Sequence, residues 1–207
     1  MTQADLLPVN AKQRASTALK SGQQRKAEGQ ALVLENESGD WGKELRGVTL
    51  SELESRFTYD PTTGRFMWKR SIAKGIAGSI AGSLCARSGY RHLRVSGRRL
   101  KAHRVAWFMF YGAPPDGVID HINGNPDDNR IENLRCVTQK VNSENIKGPK
   151  KNNKSTGVLG VYTHGSRFVS KIMSSRRSVH LGVFDSIEEA QEAYLNAKRE
   201  MHEGCTL

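Results

Sequence analysis

Apolar and polar positions recur along this chain in short periods, and those periods predict small elements. Thr49 with Glu52 three residues on resembles a capping box, and Leu50, Leu53 and Phe57 then follow helical spacing. Phe57-Thr58-Tyr59 and Phe66-Met67-Trp68 flank Asp60-Pro61-Thr62-Thr63-Gly64, which is turn chemistry and predicts a hairpin. Residues 71–89, rich in Gly, Ala and Ser, read as a loop. Tyr90–Val95 and Arg99–His103 bracket Ser96-Gly97-Arg98 as a second hairpin. Val105–Tyr111 reads as a buried helix ended by Gly112-Ala113-Pro114-Pro115, with His103 at its entry as a structural hydrogen-bonding group.

Beyond residue 155 the pattern is clearer. Val158–Tyr162, Arg167–Met173 and Ser178–Phe184 read as three strands joined by tight turns. Ser186 caps a helix with Glu189 completing the box, and Ile187, Ala190, Tyr194, Ala197 and Met201 form one apolar stripe. Alternation puts Phe168, Ser170 and Ile172 on one sheet face with Val179, Leu181 and Val183. Arg167, Lys171 and His180 then fall on the helix-free face, beside the Arg176-Arg177 turn. A basic sheet face of this kind can enter a major groove.

Composition narrows the classes. The chain has 207 residues, enough for one medium domain or two small ones, with 32 Lys+Arg against 21 Asp+Glu, a net charge of +11. Its longest apolar run, Val105–Tyr111, is far short of the ~20 residues a bilayer span needs, so no membrane is expected. No charged-then-apolar segment opens the chain, so secretion is not expected. Cys85, Cys136 and Cys205 stand apart without a CxxC pair, which argues for a reducing compartment and against structural zinc. The positive charge is uneven: residues 47–100 carry 10 basic and 3 acidic side chains, whereas 101–146 carry 5 and 6. Residues 147–155 hold four lysines and no acid, and read as a basic linker. Two positive patches thus flank a slightly acidic centre, a distribution suited to gripping a nucleic acid. Residues 1–46 read as a poorly packed extension with a fraying helix near 11–31.

The acidic centre holds the candidate chemistry. Val118-Ile119 reads as a strand that delivers Asp120 and His121 at its end, followed by the turn-rich Asn123-Gly124-Asn125-Pro126-Asp127. Leu134–Val137 returns as a second strand, and Thr138 can cap a helix containing Asn142. Folded back, that arrangement lets Asp120 and Asn142 face each other as two oxygen ligands for a hard divalent cation. His121, leaving the opposite face of its strand, can take a proton from water. Phosphodiester hydrolysis needs this division of labour.

Residues 118–145 resemble the HNH (ββα-metal) endonucleases of phages and introns. The resemblance rests on Asp120-His121, Asn123-Gly124-Asn125, Asp128-Asn129, Asn133-Leu134-Arg135, Val137-Thr138 and Asn142. Upstream, Tyr59-Asp60-Pro61, Gly64, Trp68 and His103-Arg104 resemble what precedes that motif. Residues 156–203 are similar to the AP2 DNA-binding domain through Gly160-Val161, Leu181-Gly182, Phe184-Asp185, Glu188-Glu189-Ala190 and Tyr194. That second similarity departs at Phe168 and Lys171, where AP2 domains usually have tryptophan and glutamate.

The resemblance implies that Asp120 and Asn142 hold one divalent metal, Mg²⁺ before Mn²⁺, with no zinc. It implies His121 as general base and Asn133 as a residue hydrogen-bonding across the loop to orient the site. Asn142 stands where many relatives have histidine, as it does in the homing branch, and Cys136 fills a position that is often aromatic. The expected architecture is α+β: an extension (1–46), a ββα-metal nuclease domain (47–146), the basic linker (147–155) and an AP2-like three-stranded sheet plus helix (156–207). The expected activity is cleavage of double-stranded DNA at a recognised site, leaving 3′-hydroxyl and 5′-phosphate ends. DNA would be gripped by Arg98 and Arg99, by Lys150, Lys151 and Lys154, and by Arg167, Lys171, Arg176, Arg177 and His180. A monomer in the cytoplasm of a phage-infected bacterium is the expected setting. The competing readings are a DNA-binding regulator with a decayed nuclease, and a basic RNA-binding protein, which would need exposed aromatics on the free sheet face.

Overall fold

A computed structural model describes residues 45, 47–71, 76–149, 153 and 155–207 of the chain. The expected helix near 11–31 and the lysines at 150, 151 and 154 lie outside the described residues. The chain forms two compact units that divide between Cys136 and Val137.

The first unit opens with α1 (Leu50–Arg56), whose start is capped by Thr49 Oγ1 accepting from the Glu52 amide at 3.0 Å. The box is only half made, because the Glu52 carboxylate accepts from Ser96 Oγ (2.5 Å) and pairs with Arg56 (3.2 Å). Strands β1 (Phe57–Asp60) and β2 (Arg65–Trp68) form the predicted antiparallel hairpin, with Phe57 opposite Trp68. Asp60 closes its turn by accepting from the Thr62 amide (2.9 Å) and the hydroxyls of Thr62 (2.7 Å) and Thr63 (2.8 Å).

Residues 71–89 are not wholly loop. Ser83–Leu84 forms a short β3 that pairs with β4 (Arg91–Val95), which in turn pairs with β5 (Arg98–Lys101). The β4–β5 turn is the two residues Ser96-Gly97, both at positive φ (46° and 77°), the geometry that matches strand twist. Helix α2 (Ala102–Tyr111) begins three residues earlier than Val105, so His103 and Arg104 belong to its first turn. It stops at Gly112, which takes the left-handed conformation (φ 70°). Leu53, Phe57, Phe66, Leu93, Val95, Leu100, Val105 and Phe108 make a fully buried core between these elements. Each such side chain contributes about 1.5–3 kcal/mol by leaving water. The unit ends in β6 (Val118–His121), a 3₁₀ turn (Ile131–Asn133) and β7 (Leu134–Val137), which is the partner of β6.

The second unit begins with α3 (Gln139–Glu144), capped by Thr138 Oγ1 accepting from the Val141 amide at 3.3 Å. A three-stranded antiparallel sheet in the order β10-β9-β8 follows: β8 (Val161–His164), β9 (Arg167–Ser174) and β10 (Arg177–Phe184). The first of these strands runs from Val161 instead of 158. Gly160 sits at φ 75° with its α-carbon so close to the Tyr194 ring that an added Cβ would lie 2.0 Å away. Helix α4 (Ile187–Met201) is capped by Ser186 accepting from the Glu189 amide at 3.2 Å.

Two expectations about faces are corrected. The β9–β10 register slips between His180 and Gly182, a β-bulge that reverses the alternation beyond it. Val183 therefore sits opposite Val169 and is exposed, while Phe184 sits opposite Phe168 on the helix side with Ser170 and Ile172. On α4 the buried line is Ala190, Tyr194 and Lys198, and Met201 is exposed. Lys198 can be buried because its Nζ donates to the Ile146 carbonyl.

Candidate active site

Strand β6 ends by presenting Asp120 and His121 in succession, both buried. Their side chains take different partners, as alternation requires. Asp120 Oδ2 accepts from Arg135 Nε (2.9 Å) and Nη2 (2.8 Å) on the neighbouring β7. A carboxylate removed from water needs such a partner. His121 Nε2 lies 3.2 Å from Asn129 Oδ1. Because Asn129 Nδ2 donates to the Asp127 carbonyl (3.2 Å), its Oδ1 is the acceptor and the His121 proton belongs on Nε2. In that tautomer the basic lone pair of the neutral ring is at Nδ1.

Burial pushes the His121 pKa down, against the opposing pull of Asn129 and the Asp120 charge. The imidazole is thus held neutral, the form a base must have. His103 stands beside it, with ring centroids 5.1 Å apart and planes nearly perpendicular, and Tyr90 completes the cluster at 5.1 Å from His103 and 5.9 Å from His121. Burial pushes His103 well below the ordinary histidine range, and the His121 ring adds to that. Its Nδ1 is buried without a hydrogen-bond partner, so that nitrogen does not make the hydrogen bond expected of His103 from the sequence.

The loop from 122 to 133 is ordered by its own amides. Asn123 Oδ1 accepts from the Asn125 amide (2.8 Å), and Asn125 Oδ1 from the Asp127 amide (3.1 Å). Asn133 spans the loop: its Oδ1 accepts from the Asn123 amide (2.9 Å), and its Nδ2 donates to the Asp128 carbonyl (2.8 Å) and Asn123 Oδ1 (3.1 Å). Asp128 pairs with Arg130 (2.8 Å), which holds its carboxyl below the usual range.

Asp120, His121 and Asn133 are therefore brought together in the first unit, whereas Asn142 is carried on α3 in the second. Cys136 is half-buried against the core. Arg98 and Arg99 are exposed on β5, with Arg99 Nη2 3.3 Å from His92 Nδ1. In the second unit Lys171 stands opposite His180, and Arg176 forms the β9–β10 turn at φ 64°, next to Arg177. Arg167 donates to Asp185 Oδ1 at 2.6 Å, so its charge is shared with an acid. The face bearing Arg167 and Lys171 is less purely basic than expected, because Tyr162, Met173 and Val183 are exposed there.

Reasoning from sequence missed the parts played by Arg135, Asn129 and His103. A basic residue on the strand paired with the Asp120 strand was a usable signal for Arg135. Nothing local signalled that His103 packs on His121.

The segment thus joins an adjacent Asp-His at a strand end, a loop pinned by its own amides and a returning strand. Residues 100–144 match the HNH endonuclease family. Over 76 residues the chain is 38% identical to Protein 3.8 of Escherichia phage T7, covering 36% of this chain and 59% of that protein. Over 50 residues it is 44% identical to DNA endonuclease I-HmuI of Bacillus phage SP01, covering 24% and 29%. The chain thus spans less than two thirds of either relative. A solved structure of DNA binding and cleavage by the HNH homing endonuclease I-HmuI aligns over 72% of this chain and 88% of that one, with 23% identity and a TM-score of 0.34. Among the described residues no helix is long and apolar enough to cross a membrane.

Proposed function

We propose that this chain is an HNH-type, metal-dependent endonuclease that hydrolyses double-stranded DNA at a recognised site, leaving 3′-hydroxyl and 5′-phosphate ends. The observation that carries the reading is the pair Asp120-His121, buried at the end of β6 and fixed by separate partners within the segment that matches the HNH family. His121, neutral and oriented by Asn129, accepts the proton of an attacking water at Nδ1. Asn133 is a positioning residue that holds the loop carrying Asn129. The regulator reading, with a decayed nuclease, gains nothing from these residues, since all are present and partnered.

The donor chemistry fits a hard divalent ion. A carboxylate (Asp120) and a carboxamide (Asn142) are oxygen ligands, and no group of three or more His, Cys, Asp or Glu among the described residues could hold an ion. Mg²⁺, or Mn²⁺ in its place, tolerates so few protein ligands because water and phosphate fill the rest of its shell. Such an ion supplies neutralisation of the charge that grows on the phosphate and the leaving oxygen.

The wider assignment is part of the same proposal: a nuclease domain over 47–146, a basic linker and an AP2-like module from 156. Arg98 and Arg99, the linker lysines, and the group Arg167, Lys171, Arg176, Arg177 and His180 contact phosphates. The protein acts as a monomer in a phage-infected bacterium. The test is supercoiled plasmid, including the flanks of its own coding region, incubated with Mg²⁺ and either wild type or His121→Ala. Wild type should cut, His121→Ala should lose at least about 100-fold in rate, and the cut ends should religate. Failure of the wild type on every DNA, or equal cutting by His121→Ala, refutes the proposal.

A further inference from the structure

We infer that the last residues of the chain form a strut that positions the helix bearing Asn142, so that the sheet-and-helix module sets the place of a nuclease ligand. The inference rests on the reading of Asn142 as a metal ligand. Helix α3 has six residues, well below the ~12–15 at which an isolated helix becomes even marginally stable in water, so its order must come from packing. Thr138 caps its first turn. Its far end is tied to residues 198–206.

Four polar contacts make that tie. The Gly204 amide donates to Glu144 Oε2 at 3.2 Å. Thr206 Oγ1 donates to Asn145 Oδ1 at 2.6 Å, and the Asn145 side chain is buried. Lys147 Nζ donates to the Thr206 carbonyl at 3.1 Å, and Lys198 Nζ, rising from the buried line of α4, donates to the Ile146 carbonyl. Gly204 itself is buried against the helix: a Cβ there would come 2.1 Å from the Val141 carbonyl oxygen and 2.9 Å from Glu144 Cβ. Only a residue without a side chain permits that approach.

Val141, Glu144 and Asn145 follow i, i+3, i+4 spacing and so share the face that meets the tail. Asn142 lies about 100° round the helix from Val141, beside that face but off it. Its position within the second unit is therefore inherited from α4 and the tail. Whatever orders or displaces the sheet module on DNA reaches Asn142 by this route.

The experiment compares the full chain with Gly204→Ala, Thr206→Val, Thr206→Ser and Asn142→Ala. It measures amide hydrogen exchange over 141–145, Mn²⁺ binding by electron paramagnetic resonance, plasmid cleavage and the melting temperature. Gly204→Ala and Thr206→Val should speed exchange in α3 and weaken both Mn²⁺ binding and cleavage by about 10–100-fold, the range seen when the support of a metal ligand is removed. Thr206→Ser, which keeps the hydroxyl, should behave as wild type. If Gly204→Ala does not fold, Thr206→Val carries the comparison. Native exchange, Mn²⁺ affinity and cleavage in Thr206→Val overturn the strut. Unchanged Mn²⁺ binding in Asn142→Ala, or none in wild type, overturns the ligand reading instead, and the exchange rates separate the two failures.

Discussion

Replacing Asn133 by alanine isolates what holds the active-site loop. The change deletes three hydrogen bonds, one accepted from the Asn123 amide and two donated to the Asp128 carbonyl and Asn123 Oδ1. Asn133 is only 5% exposed, whereas Asn123 is exposed and Asp128 half-buried, so the groups left behind are partly wetted and fall toward the low end of the cost. Each orphaned group costs about 1–3 kcal/mol, and two of them at the edge of a loop cost about 2–4 kcal/mol. At about 2–4 °C per kcal/mol, the melting temperature should fall by roughly 5–15 °C. Asn133→Asp is the discriminating companion. It keeps the acceptor for Asn123 but turns an oxygen toward the Asp128 carbonyl, so it should be at least as damaging at pH 7. Below about pH 4 the new carboxyl is protonated and can donate again, and the gap between the two variants should close or reverse. Thermal melts followed by circular dichroism at both pH values read these effects. An unchanged melting temperature in Asn133→Ala would show that the loop does not depend on this side chain, and a loss of cleavage without a stability change would move Asn133 into the chemistry.

Four other outcomes follow from the geometry. The depressed pKa values of His103 and His121 mean that below pH ~6.5 the unfolded chain takes up protons that the folded chain refuses. Stability should therefore fall on acidification by up to about 1.4 kcal/mol per pH unit per histidine, with nothing lost from these groups above pH ~6.5; urea melts at pH 7.5 and 5.5 should show a shallower fall in His103→Phe. Arg135→Ala leaves the buried Asp120 carboxylate without its guanidinium and should cost about 3–5 kcal/mol, measurable by denaturant melts, whereas a value under 1 would mean that water reaches the carboxylate. Gly64→Ala forces a Cβ to 2.4 Å from the Arg130 amide nitrogen at φ 70°, and should cost more than the ~1–2 kcal/mol of left-handed strain alone; a smaller loss would mean the two segments separate freely. Arg167→Ala with Lys171→Ala should reduce the slope of log affinity against log salt by about 2 if both meet phosphate, and an unaltered slope would place the contacts elsewhere.

The elements legible in the sequence are those whose signals are local. Thr49, Thr138 and Ser186 each cap the helix they were expected to cap, and the Asp60–Gly64 turn and the Leu134–Val137 strand stand where their chemistry put them. What escaped depends on register or on distant partners. Alternation assigns faces only while the register is unbroken, and the bulge beside Leu181 sends Val183 outward although its spacing from Val179 pointed inward. Lys198 lies off the apolar stripe, and its burial depends on an acceptor, the Ile146 carbonyl, that is 52 residues away. In the site, Asp120 and His121 were apparent as an adjacent pair at a strand end. Their partners were not, since Arg135 and Asn129 reach them only through pairing of β6 with β7 and the fold of the intervening loop.

The segment that matches the HNH family begins at residue 100, yet its loop is held by residues before that point as well as by its own amides. Tyr59 donates to the Asn129 carbonyl at 2.7 Å, fixing the residue whose side chain orients His121. The Ile131 amide donates to the Pro61 carbonyl at 3.0 Å, and Gly64 lies against Asn129 and Arg130. From the second hairpin, Arg91 grips Asp127 through two hydrogen bonds of 2.9 and 3.0 Å, while Gly89 leaves room for the Pro126 ring. Tyr90, between them, supplies the third ring of the histidine cluster. The upstream hairpins are thus a clamp on the 122–133 loop from two sides. Asp60 to Gly64 in the first turn, and Gly89 to Arg91 at the entry to β4, answer to that loop as much as to their own strands. A motif this short cannot bury two histidines and an aspartate by itself; the hairpins supply the walls, and the positions of Asn129 and His121 are set by residues that carry no chemistry of their own.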